Sequence, residues 1–368
     1  MAGAFYTEED NLYPIAILGE FAASRLPLPS VFGNIITSVS PSTYEEKALF
    51  GNATFYFNDA WDLTAGLRYS ENEQTADNIA SGLLLGIFGA PRVTSYQFDD
   101  DATTYLATLR WRPSQDVSTF LRAATGYRPG GPQTIVGVPS GSGYAPDEVT
   151  NYEAGVKAKL AEGRLNLAAS VYRIDWDDIQ LNTLVNGFLI VGNGGAGEVK
   201  GVEIELSGRQ GEAFSWGFNL GYNDAKLTEI DAASAAQLGA RAGDRLPVSP
   251  KVSASALGDY RFTFSEGFTG SVGATLKYSG SKPSSFTSAT PAATALNPNV
   301  LLPSETVLDL RFGVNYGRFD AQFRIENATD EAVQSTYVTN KIIAALPVDS
   351  NVSIGRPRTF TLAVGVRF

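Results

Sequence analysis

Short turns alternate with longer connections along this chain, and that rhythm limits its fold more than any other feature. The short turns are Asn58–Ala60, Arg112–Asp116, Ala161–Gly163, Gln210–Ala213, Ser265–Gly267 and Gly317–Arg318. Between the connections the chain reads with period 2. Trp61, Leu63, Ala65, Leu67 and Tyr69 alternate with Asp62, Thr64, Gly66 and Arg68. Val202, Ile204 and Leu206 oppose Glu203 and Glu205, and Leu310, Phe312 and Val314 oppose Asp309, Arg311 and Gly313. Successive side chains of a strand point to opposite faces, so each stretch is a ribbon with one apolar and one small or polar face. About fourteen such strands are predicted, many spanning the ~9–11 residues a tilted strand needs to cross a bilayer. A β-sandwich has no reason to gather its long loops at one end, whereas a transmembrane barrel has short periplasmic turns and long extracellular loops. The expected fold is therefore all-β, a transmembrane antiparallel β-barrel.

Composition agrees with this and removes several functions. Hydrophobic residues make up 43% of 368, an ordinary value that alternation explains, because a barrel spreads its apolar band over every second residue. No apolar run approaches the ~18 residues of a membrane helix. Histidine and cysteine are both absent. Ser-His-Asp hydrolysis, Cys-His nucleophiles, His-ligated zinc and disulfides all drop out with them. The net charge of -11 argues against nucleic acid, whose phosphates require a basic face. No enzyme activity and no cofactor is expected. The N-terminus, MAGAFYTEED, has neither the basic start nor the apolar segment of a signal peptide.

Along the chain, Gly3–Thr7 reads as strand and then gives way to a Pro-containing loop that lasts through Thr43. A second long connection is expected from about Glu71 to Tyr96, and a helical turn at Ala232–Leu238. The last strand, Thr359–Phe368, sets Phe360, Leu362, Val364, Val366 and Phe368 on one face. Counting turns back from it puts the C-terminus on the periplasmic side.

Particular segments carry a family resemblance. GYRPGGPQT (Gly126–Thr134), NYEAGVKAKL (Asn151–Leu160), VYRIDWDDIQL (Val171–Leu181), NGGAGEVKGVEIEL (Asn193–Leu206), NATD (Asn327–Asp330) and GRPRTF (Gly355–Phe360) occur in that order. Together they resemble the barrel of a TonB-dependent outer-membrane receptor. The resemblance implies a Gram-negative outer-membrane protein that takes up a scarce nutrient, often a ferric siderophore. It also implies a plug domain inside a 22-stranded barrel, energised by the inner-membrane TonB complex. No plug precedes these strands, so residues 1–368 read as the C-terminal portion of such a barrel, unable to transport alone and linked to TonB only through a missing plug. The rivals are a passive pore of about fourteen strands and a soluble β-protein that binds glycans.

Two groups of residues are candidates for function. Phe360, Leu362, Val364, Val366 and Phe368 resemble the C-terminal signal read by the barrel-assembly machinery, the alternative being a simple closing strand. Arg128, Arg356 and Arg358 fall near the extracellular rim, where guanidiniums attract an anionic ferric chelate. The alternative there is charge bonded to loop backbone or to lipopolysaccharide. Asp99–Asp101 and Asp175, Asp177 and Asp178 are acidic enough to attract a hard cation, but they lack the spacing of a calcium loop and read better as solvated rim.

Overall fold

A computed structural model describes residues 1–18, 34–83, 85, 93–133, 143–185, 188–286, 299–339 and 350–367. One antiparallel sheet of fourteen strands takes up most of them, and each strand pairs with its neighbours in chain order. The strands are β1 (Ala2–Leu18), β2 (Asn34–Tyr56), β3 (Trp61–Ser81), β4 (Val93–Trp111), β5 (Val117–Arg128), β6 (Asp147–Leu160) and β7 (Leu165–Asp177). They continue with β8 (Gly195–Gln210), β9 (Phe214–Ile230), β10 (Val252–Ser265), β11 (Phe268–Ser279), β12 (Glu305–Tyr316), β13 (Phe319–Glu326) and β14 (Thr359–Val366). The short turns share one end of the sheet and the long connections the other. Among the described residues, strands β1 and β14 each pair on one side only, and neither pairs with the other.

Several strands run further than their patterns suggest. β1 continues past Thr7 to Leu18, β2 begins at Asn34 rather than Tyr44, and β3 and β4 extend to Ser81 and from Val93. The prolines that argue for a loop sit where a sheet tolerates them. Pro14 lies on the edge strand β1, and Pro41 lies where the β2–β3 ladder skips between Val39↔Ile79 and Ser42↔Ala76. The long connections also carry hairpins of their own, Gln180–Val185 with Phe188–Asn193 and Gln334–Thr339 with Ser350–Ile354. The predicted helical turn is α1, Ala232–Leu238, capped by the Asp231 carboxylate and ended by Gly239 in the left-handed conformation (φ 63°).

The two faces of the sheet invert the usual rule of burial. Leu49, Leu67, Leu121, Val171, Phe360, Leu362 and Val364 are exposed, while Ser38, Ser40, Asp62, Ser70, Asn72 and Asn78 are buried. A soluble sheet would bury that apolar face; this one leaves it open along its whole width. Aromatic rings gather toward the short-turn end. Trp61 stacks on Trp111 with centroids 5.6 Å apart, and Phe264 lies 4.7 Å from Phe262 and 5.0 Å from Phe268, which meets Tyr316 at 5.8 Å. Such a belt suits a membrane–water interface. Among the described residues the compact apolar cluster is small and lies at the loop end: Ile179, Leu227, Ala240 and Phe286, with Leu238 of α1 packed against it.

Candidate functional site

At the loop end, the segments after β5 and β7 are tied into one rim. Arg128 closes β5 with its Nε donating to Asp147 Oδ1 at 3.2 Å, and its Nη2 also reaches that nearly buried carboxylate. Gln180 donates to the carbonyls of Pro129 and Ala145. Asn193 Nδ2 donates to the carbonyls of Ala145 and Asp178, both at 2.8 Å. Gly130 fits beneath because a Cβ there would strike the Tyr144 carbonyl and the Phe98 ring. The GYRPGG and NGG motifs are therefore two halves of one brace.

Below the brace, the polar face of β6–β9 carries a pocket of about 460 Å³. Its floor follows the register row Glu153↔Tyr172↔Gly201↔Asn223. Gly201 is required there, since the Tyr172 ring occupies the place of a Cβ. Toward the loops stand Asn151, Ile174, Val199 and Trp176, and toward the turns Glu203. Three buried polar atoms in this pocket lack a partner: Asn151 Oδ1, Trp176 Nε1 and Asn223 Oδ1. The carboxylates of Glu153 and Glu203 likewise form no hydrogen bond or ion pair among the described residues. Buried polar groups are ordinarily satisfied. Two carboxylates and two amide oxygens around aromatic walls suit a donor-rich cation, and a guanidinium with its five N–H donors fits best.

Outside this pocket much of the polar wall pairs internally, although Asn72 Nδ2, the Tyr96 hydroxyl, Asp100 Oδ2 and Glu305 Oε2 are also buried without a partner among the described residues. Asp62, 1% exposed, receives Arg110 Nε at 3.0 Å and Arg112 Nη2 at 2.5 Å. Arg311 donates to Asp259 and Lys277 to Asp309.

The three candidate arginines are not brought together. Arg128 ends β5, while Arg356 and Arg358 lie between β13 and β14. Each faces a carboxylate: Asp147 for Arg128, Glu326 at 2.8 Å for Arg356 and Asp330 at 3.5 Å for Arg358. The acidic runs assemble no metal-holding group among the described residues. Asp175 is engaged by Arg173. On β14, Phe360, Leu362, Val364 and Val366 share the exposed apolar face, and Phe368 lies outside the described residues. The pocket of Glu153 and Asn223 escapes a sequence reading because only strand register puts β6 and β9 side chains in one row.

Comparison with known proteins decides the family. The family model described as TonB dependent receptor-like, beta-barrel, matches residues 3–328. The chain belongs to the TonB-dependent receptors. The receptor chain is 26% identical over 257 residues to the metal-pseudopaline receptor CntO of Pseudomonas aeruginosa, covering 69% of this chain and 32% of that protein. It is 24% identical over 186 residues to the pesticin receptor of Yersinia enterocolitica, covering 50% of this chain and 26% of that protein. The ferric yersiniabactin uptake receptor FyuA from Yersinia pestis superposes on 100% of this chain and 55% of its own, with a TM-score of 0.74 and 17% identity. The ferric-catecholate import receptor Fiu from E. coli K12, in its closed form, gives 0.72 at 18% identity, over 100% and 51%. This receptor chain thus spans about half the length of those structures and a quarter to a third of the curated relatives. Its relatives are transport receptors rather than enzymes, and its sheet is that of the receptor barrel, with the polar face as inner wall and the apolar face as outer wall.

Proposed function

We propose that this chain supplies the C-terminal staves of an outer-membrane receptor barrel for TonB-coupled uptake of a scarce nutrient such as a ferric siderophore. The observation that carries the reading is the inner-wall pocket. Glu153, Glu203, Asn151 and Asn223 present acceptors that nothing in the described chain engages. A plug domain filling the lumen and carrying a guanidinium or ammonium would satisfy them, and TonB would act through that plug. The unpaired sides of β1 and β14 support the same reading. In lipid every backbone group needs a partner, so further strands belong between them. Residues 1–368 are then the C-terminal part of the barrel domain and do not transport alone. The barrel-assembly machinery reads β14, lipid and lipopolysaccharide surround the outer wall, and the rim that holds Arg128, Arg356 and Arg358 meets the incoming anionic chelate.

The test is the reading frame upstream of Met1, followed by iron-limited growth with the whole frame expressed. An in-frame plug and more strands are expected, with siderophore-dependent growth reduced by a Glu153→Gln, Glu203→Gln pair. A signal peptide directly before Met1, with ion conductance from the 368-residue chain alone, would replace this reading by a passive pore.

A further inference from the structure

On β6–β9 the outer wall changes character at one height. The row nearest the loops that is still apolar joins Ala154, Val171, Val202 and Tyr222 across four strands. The next row toward the loops is Tyr152, Arg173, Lys200 and Asp224, and the one above it holds Asp175, Glu198 and Lys226. Just below this step is a depression of about 780 Å³, floored where Ala107, Ala123 and Ala154 stand beside the larger Leu109, Leu121 and Val171. Arg173 and Lys200 line the same depression.

Both cations are held by carboxylates from the row above. Arg173 Nε meets Asp175 at 2.8 Å and its Nη2 meets Glu198 at 3.1 Å, while Lys200 meets Glu198 at 2.6 Å. These contacts leave Arg173 Nη1 and further Lys200 hydrogens without a partner among the described residues, on side chains 53% and 58% exposed. An apolar hollow in the lipid-facing wall, with two anchored cations on its headgroup side, has the chemistry of an amphiphile site.

The other end of the sheet provides the contrast. At the corresponding step on β1–β4 the outward rows are Tyr6↔Lys47↔Glu71↔Asp101 and Glu8↔Glu45↔Glu73↔Asp99. Four carboxylates directly opposite one another repel each other and any phosphate. An anionic headgroup is turned away there and received on β6–β9.

We infer that Arg173 and Lys200 bind a phosphate of an outer-leaflet lipid A whose acyl chain lies in the hollow between Leu121, Ala154, Val171 and Val202. The inference rests on the outer-membrane reading. A guanidinium and an ammonium on one phosphate make charge-assisted hydrogen bonds, and the acyl chain adds burial against the alanines.

Native mass spectrometry of the detergent-solubilised receptor, expressed from the whole reading frame and titrated with bisphosphorylated lipid A, tests it. At least tenfold weaker binding is expected for the Arg173→Gln, Lys200→Gln pair, and for Ala154→Trp, which fills the hollow and leaves the cations. On the unaltered chain, fully dephosphorylated lipid A should bind at least tenfold more weakly, and millimolar inorganic phosphate should not displace the lipid. Unchanged affinity in either variant with heat-modifiable migration intact, equal binding of dephosphorylated lipid A, or displacement by inorganic phosphate overturns the inference. Loss of heat-modifiable migration in the unaltered whole frame would instead count against the barrel reading on which it rests.

Discussion

Asn193 and Ala145 clasp each other across the rim. The Ala145 N–H donates to Asn193 Oδ1 at 2.7 Å, and Asn193 Nδ2 returns a bond to the Ala145 carbonyl at 2.8 Å. A third bond, to the Asp178 carbonyl, makes one side chain the rivet between the segments after β5 and β7. Asn193→Ala should free the segment around Ala145 at a local cost of ~2 kcal/mol, from two or three bonds each worth ~1 kcal/mol net. Hydrogen exchange at the Ala145 amide should quicken by more than tenfold, while amides in the middle of β8 hold their rates.

Asp62 is the most deeply buried carboxylate of the inner wall and takes two guanidiniums. Asp62→Ala leaves Arg110 and Arg112 facing each other with no counterion. Breaking a buried pair costs about 3–5 kcal/mol, with the lower end expected here because both arginines reach water. The temperature at which heat-modifiable migration is lost should fall. Asp62→Asn, which keeps an acceptor, should fall less.

The outward face of β14 should tolerate no charge. Val364 is 70% exposed and sits on the lipid-facing row. Val364→Arg should cost ~2–4 kcal/mol near the bilayer midplane and prevent assembly. Ala363→Arg, opposite Gln322 on the other face, should assemble. Deleting Phe368 separates the two readings of this strand. Normal outer-membrane yield without it would leave a closing strand and no assembly signal.

The Asp231 cap makes α1 sensitive to acid. The Ser234 hydroxyl, then the Ser234 and Ala233 N–H groups, hold the Asp231 carboxyl below its ordinary value. A carboxyl lowered on folding stabilises the folded form above its unfolded pKa, and that stability is lost as pH falls through the folded value. Protection of the α1 amides, corrected for intrinsic exchange, should therefore weaken below about pH 4, near the unfolded carboxylate value. Asp231→Asn should remove the pH dependence and keep most of the cap, whereas Asp231→Ala should cost ~1 kcal/mol at neutral pH.

Much of the barrel is legible before any coordinates. Alternation identifies the faces of β3, β8, β12 and β14, and turn residues such as Asn58 and Gly317 mark the hairpins. Misreadings fall where local chemistry and tertiary context part. Pro14 and Pro41 argue for a loop, yet an edge and a ladder interruption accept both. Glu71 to Ile79 is too polar to look like a strand of a greasy barrel, yet it pairs with β4 residue by residue. Strands that rise beyond the lipid have no apolar face to show.

The sequence by itself determined the class of fold and the family, because period 2 and turn length are local properties written in every hairpin. Register needed the tertiary structure. Only the pairing of β6 through β9 puts Glu153 and Asn223 in one row, seats Tyr172 over Gly201, and sets Arg173 and Lys200 above a hollow of alanines. These residues are distant along the chain, and hydrogen-bonded ladders alone bring them within reach of one ligand.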